Sequence, residues 1–467
     1  MRLHRGAART MLAMRTLEMP PRSLALATDL YELTMAGAYF ANSVAATATF
    51  ELFVRELPAT RRYLIAAGLE QALEYLEALR FTHEDLEYLR AHPIFGGAPA
   101  ELFQLLQGLR FSGEVWAVPE GTPVFANEPL LRVTAPIIEA QMVETFLLAT
   151  INFQSMIASK ASRVVTAAAG RDVIEFGSRR AHGTEAAMYA ARAAYVAGCA
   201  GTSNVEAGLR FGIPTAGTIA HSWVMSFSDE LAAFEGYMAA FPHGATLLID
   251  TYDTVTAARK IVAAGLRPRA VRLDSGDLVV LSRAVRQVLD AGGLQATRIF
   301  ASGDLDEWRI AALLAAGAPI DAFGVGTRLV TSFDEPALGG VYKLVELKSG
   351  GRAYGKVKTS AGKATFPGRK QVWRRSGADG TYVSDLIGAA DEPPLAGSEP
   401  LLCCVMREGR RLEAPPRLAH VRDRCSTLLA RLPAELRELG AGAAYPVEFT
   451  DRLRADQRQL VGVALGR

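Results

Sequence analysis

Residues 270–326, AVRLDSGDLVVLSRAVRQVLDAGGLQATRIFASGDLDEWRIAALLAAGAPIDAFGVG, carry the pattern that decides the fold. Three short apolar runs, AVRLD (270–274), RIFAS (298–302) and DAFGVG (321–326), read as strands. Between them, DLVVLSRAVRQVLDAGG and DEWRIAALLAAG read as helices. The alternation extends towards the N-terminus. DVIEF (172–176) precedes TEAAMYAARAAYVA (184–197), PTAGTIA (214–220) precedes a helix near 228–241, and TLLID (246–250) precedes TVTAARKIVAAG. GGVYKLVEL (339–347) is expected to close the series. Strand starts recur at about 24 residues, which suits βα units with right-handed crossovers and parallel strands. Six or seven units predict an α/β fold, an irregular TIM-like barrel.

Outside this repeat the pattern changes. Before it, TDLYELTMAGAYF (28–40) and LIAAGLEQALEYLEALR (64–80) read as helices. ATFELFVREL (48–57) and stretches within 113–137 read as strands, and 139–170 is a long helical run. After it, GRAYGKVKTS, GRKQVWRR, GTYVSDLIG and PLLCCVMREGRRL read as hairpin strands, followed by a helix near 418–439. Such strands are few for a separate sandwich and are expected to extend the N-terminal sheet. The expected organisation is an extension (1–22), an N-terminal α/β domain (23–140), a barrel (141–345) and C-terminal strands and helix packed on the N-terminal domain (346–467).

Composition narrows the function classes. Half of the 467 residues are hydrophobic and 21% are charged, which excludes global disorder. The net charge of +2 gives no general attraction to nucleic acid or to an anionic membrane. No apolar run approaches the ~20 residues that span a bilayer. The Arg-rich first 22 residues read as a frayed extension or an early start codon, with a transit peptide as the alternative. Four cysteines are too few and too irregular for a disulfide framework, so a cytoplasmic, reducing setting is expected. Cys403, Cys404, His420 and Cys425 contain no CxxC pair, which disfavours zinc.

Polar clusters begin where the apolar strands end: EFGSRR, AHS, DTYDT, LDSGD, ASGDLD and GVGT. In a βα barrel these ends converge on the face that carries the site. Helix capping and tight turns account for Ser275, Gly276, Thr254 and Asp306. They account poorly for Arg179, Arg180, His221 and Asp274. Gly303-Asp304 and Gly324-Val325-Gly326-Thr327 suit close approach of backbone N–H groups to a phosphate. The two arginines suit a phosphate or carboxylate, and Asp250 and Asp274 suit ribose hydroxyls or Mg²⁺. No lysine ends a strand between 172 and 326, so a Schiff-base lyase lacks its nucleophile. No GxxxxGK[ST] loop occurs, and no GxGxxG follows a strand.

Taken in order, TDLYELTM, EFGSRRAHG, GTSN, GTIAHSWVMSF, DTYDT, RLDSGD, FASGDLDE, FGVGT and GGVYKLVE resemble the nicotinate phosphoribosyltransferases. The resemblance implies a type II phosphoribosyltransferase fold. It also implies transfer of 5-phosphoribosyl from its 1-pyrophosphate to nicotinate, coupled to ATP hydrolysis with Mg²⁺, in a homodimer with a shared site. His221 matches the histidine that ATP phosphorylates. Tyr31, from a neighbouring subunit, and Phe176 match the aromatics on either face of the pyridine ring. Arg179 would meet the nicotinate carboxylate or a nearby phosphate. Arg272 and Asp274 would hold the ribose and the departing pyrophosphate. Gly303, Asp304, Gly324 and Gly326 would seat the ribose and 5′-phosphate. Lys358, Lys363, Arg369 and Lys370 are candidates for pyrophosphate or ATP. Ser203, in GTSN, stands where the nicotinamide enzymes carry Asp, which favours an anionic substrate. Nicotinamide or quinolinate transfer and a non-catalytic paralogue are the alternatives.

Overall fold

The computed structural model describes residues 23–360, 364–440 and 442–464. The expected extension 1–22 and Lys363 lie outside the described residues. Six parallel strands form the central sheet: Asp172–Glu175, Gly201–Thr202, Thr246–Leu248, Ala270–Leu273, Arg298–Ala301 and Ala322–Val325. They follow chain order around a barrel. The sixth strand pairs with the first, Val325 opposite Glu175, and closes that side. The opposite side stays open between the second strand and the third. PTAGTIA was expected to fill this gap as a strand. It contributes only a single bridge, Thr215 to Thr202. The result is an incomplete barrel whose open seam lies between residues 214–221 and 246–251.

The intervening helices form as their sequences dictate. Asp253, Asp277 and Asp306 each cap the helix that follows, accepting backbone N–H bonds from Thr256, from Val279 and Val280, and from Arg309. The helix Leu278–Ala291 turns Ser282, Val285 and Leu289 inward at helical spacing. Val271, Leu273, Ile299, Ala301, Phe323 and Val325 are buried strand residues of the barrel core.

GGVYKLVEL is not a barrel strand. Gly340–Ser349 pairs antiparallel with Thr47–Val54 in a seven-stranded sheet of the N-terminal half. The sixth strand already meets the first, so the barrel offers no edge to a further one there. Of the C-terminal strands, Arg352–Gly355, Cys403–Arg407 and Arg410–Arg411 extend this sheet, as expected. Lys370–Ser376, Tyr382–Ala389, Ser398–Pro400 and Val447–Phe449 instead build a four-stranded sheet of their own. Among the described residues no helix is long and apolar enough to cross a membrane.

A buried ion pair holds that smaller sheet. The Arg374 guanidinium, 1% exposed, donates to both oxygens of Asp385, with Nη2 to Oδ2 at 2.6 Å, and to the Pro123 carbonyl at 2.8 Å. Removing one partner would leave an uncompensated buried charge. Arg374→Met should therefore cost about 3–5 kcal/mol of unfolding free energy, most of it recovered in Arg374→Met/Asp385→Leu. Denaturant midpoints of the three proteins check this; a single variant as stable as its parent would refute it.

Candidate active site

Six strand ends meet at one mouth of the barrel, and a cavity of about 560 Å³ opens there. Phe176, Arg179, Arg180, Ser203, His221 and Arg272 line it. So do Asp274, Gly303, Asp304, Gly324, Gly326 and Thr327. A larger cavity of about 1250 Å³ lies against the segments 44–49, 104–112, 134–139 and 346–353. It holds none of the barrel-end groups. Convergent chemistry, not size, assigns the site to the smaller one.

Arg272 organises the floor. Its Nη2 meets Asp274 Oδ1 at 2.7 Å, its Nε donates to Ser302 Oγ at 2.8 Å, and its Nη1 reaches across the open seam to Thr218 Oγ1 at 2.7 Å. The Phe176 ring lies 5.5 Å from the guanidinium carbon and 5.4 Å from the Phe300 ring. Gly324 makes this packing feasible, since a Cβ there would stand 2.8 Å from Phe176. Burial alone would raise the Asp274 carboxyl. The Ser302 hydroxyl, the Arg272 charge and hydrogen bond, and His221 outweigh it and hold the group below the usual carboxylate range.

His221 begins a short helix at the seam, His221–Met225. Its Nδ1 lies 3.2 Å from Thr251 Oγ1, and its Nε2 lies 4.0 Å from Asp250 Oδ1. Asp250 lies beneath the cavity wall, its side chain only 2% exposed. Its Oδ2 accepts from the Asp274 backbone N–H at 3.0 Å and the Ser275 hydroxyl at 2.6 Å. Its Oδ1 is buried without a hydrogen bond and faces the imidazole. Asp250 thus positions the 274–275 turn and His221 together. Gly303 is fixed by a close approach: its φ is +98°, and a Cβ would come within 2.1 Å of the Asp274 carbonyl oxygen. Its freedom from a side chain serves the protein's own backbone as well as any ligand.

Glu175, at the end of the first strand, is fully buried. It accepts from Thr202 Oγ1 at 2.6 Å and from the Gly177 N–H, which sets the turn presenting Phe176 and Arg179. Burial pushes its carboxyl above the usual range, more than these hydrogen bonds lower it. Arg179 and Arg180 are exposed and form no ion pair with a described residue. Their heads are available to an anion.

Sequence reasoning missed Glu175, Thr218, Thr251 and Ser302. Each lies inside a quoted motif, but hydroxyls and a buried acid at strand ends read first as caps and turns. Ser275 lies on an adjoining groove. Tyr31 is 45% exposed on the helix Leu30–Ala41 and does not line the mouth of its own barrel. Burial, with Glu144, Glu32 and Asp29 nearby, pushes its hydroxyl up to about 12. The neighbouring Glu32, bonded to Thr145, is pushed up to about 7 by burial.

The C-terminal basic segment does not gather at this cavity. Lys370 is corrected from a phosphate candidate to a buried structural cation. Its Nζ lies 2.8 Å from Glu51 Oε2 and donates to the carbonyls of Phe366 and Gly368. Arg369 pairs with Glu346 at 3.3 Å and lines the larger cavity. Lys358 is exposed, with its backbone N–H donating to Thr365.

An incomplete α/β barrel whose strand ends carry an Arg–Asp hub, glycine turns and free arginines defines a phosphate-handling enzyme of the barrel class. The comparisons with known proteins sharpen this. Models for the nicotinate phosphoribosyltransferase N-terminal domain, the nicotinate phosphoribosyltransferase family and its C-terminal domain match residues 26–152, 172–371 and 396–457. A nicotinate phosphoribosyltransferase of Mycobacterium tuberculosis is 50% identical over 444 residues, covering 93% of this chain and 94% of the relative. The human nicotinate phosphoribosyltransferase is 33% identical, covering 92% of this chain and 95% of the relative. The crystal structure of human nicotinic acid phosphoribosyltransferase superposes with a TM-score of 0.80 at 30% identity, covering 93% of this chain and 99% of that one. This chain belongs to the nicotinate phosphoribosyltransferase family.

Proposed function

We propose that the chain transfers 5-phosphoribosyl from phosphoribosyl pyrophosphate to nicotinate, releasing pyrophosphate and forming nicotinate mononucleotide. The observation that carries this reading is the meeting, in one cavity, of the Arg272–Asp274 pair, two glycine turns and two unpaired arginines. The pyridine nitrogen supplies its own lone pair, so no strong base is needed. The difficult step is cleavage of the bond between C1 and the pyrophosphate oxygen. Asp274, held ionised, favours the positive charge that develops at C1, and Arg272 with its neighbouring cations favours the departing oxyanion. Phe176 supplies one face for the ring. Tyr31 would supply the other from a second copy of the chain, which accords with its exposure outside its own site. Arg179 or Arg180 would hold the carboxylate.

ATP coupling would run through His221, whose imidazole is a competent phosphoryl acceptor oriented by Thr251 and Asp250. Mg²⁺ is expected to arrive with the polyphosphates and needs only one or two protein carboxylates. Asp274 and Asp304, the carboxylates that line the cavity, fit that demand. Bound there, the ion would neutralise developing phosphate charge.

Ser203 is exposed in the cavity, where a carboxylate would repel an anionic ring substituent. Product formation from nicotinate and from nicotinamide, each with phosphoribosyl pyrophosphate, tests the reading. The native chain should use nicotinate. Ser203→Asp should shift the ratio of kcat/KM values towards nicotinamide by about tenfold, ~1.4 kcal/mol. An unchanged ratio would place the discrimination elsewhere, and turnover of neither substrate would overturn the function.

A further inference from the structure

Outside the cavity lining, where the late barrel loops meet the long helix Glu144–Ala167, lies a charge cluster that none of the roles above uses. Lys160, on the helix Glu144–Ala167, is buried, its side chain 3% exposed. Its Nζ lies 2.6 Å from Glu307 Oε2 and 2.8 Å from Asp334 Oδ1. Arg61 closes the far side, with Nη1 at 2.7 Å from Asp334 Oδ2 and Nη2 donating to Ser332 Oγ at 3.1 Å. Arg163, one helical turn on from Lys160, reaches Glu307 Oε1 at 3.2 Å. Three cations thus face two carboxylates in a largely dehydrated space, leaving one positive charge in excess.

The two acids belong to the two glycine loops. Glu307 opens the helix Glu307–Ala315, three residues after Asp304. Asp334 follows the short helix Thr327–Val330, seven residues after Thr327. Above the cluster the same loops are tied again, by Arg328 Nη1 to Asp306 Oδ2 at 3.3 Å. Among the described residues Lys160 is the one cation paired with both acids, and its helix packs against both loop helices. Among the same residues neither of its ion pairs is with the wall formed by Phe176, Arg179 and Ser203.

We propose that Lys160 is a positioning residue for the ribose-phosphate half of the site: it clamps the 303–307 and 326–334 loops in register and sets the affinity for phosphoribosyl pyrophosphate, not for the pyridine. Two adjacent glycine turns can wrap one phosphate only if their spacing is fixed. A buried ammonium bridging two carboxylates fixes it more stiffly than exposed pairs would, because water does not compete for the charges. The inference rests on the transferase reading.

The test measures steady-state kinetics, and calorimetric binding of phosphoribosyl pyrophosphate, for full-length Lys160→Met and Asp334→Asn. Arg374→Met serves as a control that loses a buried ion pair whose partners, Asp385 and the Pro123 carbonyl, belong to neither loop. For Lys160→Met, KM and Kd for phosphoribosyl pyrophosphate should rise at least tenfold. KM for nicotinate should stay within twofold. Asp334→Asn, which keeps volume and shape, should move the same constants in the same direction by less. Arg374→Met should lose thermal stability and keep both KM values. If Lys160→Met does not fold, Asp334→Asn carries the decision. Unchanged phosphoribosyl pyrophosphate constants in the folded variant, or losses that fall equally on both substrates, would overturn the proposal. A native enzyme that binds phosphoribosyl pyrophosphate without transferring it would sink the transferase reading and leave the binding comparison decisive. A native enzyme that does not bind it would sink both.

Discussion

With His221 replaced by alanine, the response to ATP should vanish while basal transfer from phosphoribosyl pyrophosphate survives. The argument is one of placement. His221 is half-exposed at the rim, its ring held by Thr251 Oγ1 at 3.2 Å, while Arg272 and Asp274 form the floor. Removing the imidazole leaves the Arg272–Asp274 pair and the Ser302 bond in place, and takes from the floor only the smallest of the influences that keep Asp274 ionised. It takes away the one histidine that lines the cavity among the described residues, and with it the group there best suited to accept a phosphoryl group as a neutral nucleophile. Rates with and without ATP should become equal, and acid-labile label from γ-phosphate-labelled ATP should disappear from the protein. The native ratio of ADP formed to mononucleotide formed gives the reference. Undiminished ATP stimulation in His221→Ala would remove this residue from the coupling, and loss of basal transfer as well would mean that it serves the glycosyl step. His221→Asn separates the cases further, since an amide can take the Thr251 bond but cannot carry the phosphoryl group.

Much of this site is legible because a βα repeat sorts residues by position. Short apolar runs mark where strands stop, and whatever polar residue comes next faces the mouth. That rule alone collects His221, Asp274, Gly303 and Gly326. It does not find Lys160, which sits in a long apolar helix and pairs with Glu307 and Asp334, far away in sequence. The same limit explains Lys370. In the string GRK it looks like part of a solvated basic hairpin, but its partner Glu51 lies 319 residues earlier, on the inner strand Thr47–Val54. Burial of a charge depends on a partner that only the assembled sheet supplies. The strand at 340–349 was misplaced for a related reason. Its apolar content and its position after the sixth unit fit a seventh barrel strand. Closure of the sixth strand onto the first leaves it to the N-terminal sheet. PTAGTIA stops after one bridge, in which the Pro214 carbonyl accepts the Thr202 N–H and the Ala216 N–H donates to the Thr202 carbonyl, because Pro214 and Gly217 weaken the rest as a strand. Failure of that strand opens the seam, and Arg272 reaches Thr218 across it.

The second large effect is expected at Asp274. Asp274→Asn should lower kcat by about 10²–10³, ~2.7–4 kcal/mol of transition-state stabilisation, with much smaller changes in either KM. The substitution keeps volume and can keep the Ser302 contact. On the proposed reading it removes the negative charge beside C1 as the pyrophosphate leaves, and it leaves Arg272 without its carboxylate partner. The pH dependence follows from the sign of the shift. The Asp274 carboxyl is lowered in the folded protein, against a reference near 3.9. Its ionised form therefore stabilises the fold above that reference, and the contribution is lost only as pH falls through the lower folded value. Between pH 5 and 8 the group does not titrate, so any acid limb of kcat in that range belongs to another residue. In Asp274→Asn that limb should persist unchanged beneath a uniformly lower rate. A variant whose rate approaches that of the native enzyme, or one in which only KM moves, would show that the carboxylate binds the ribose without stabilising charge at C1.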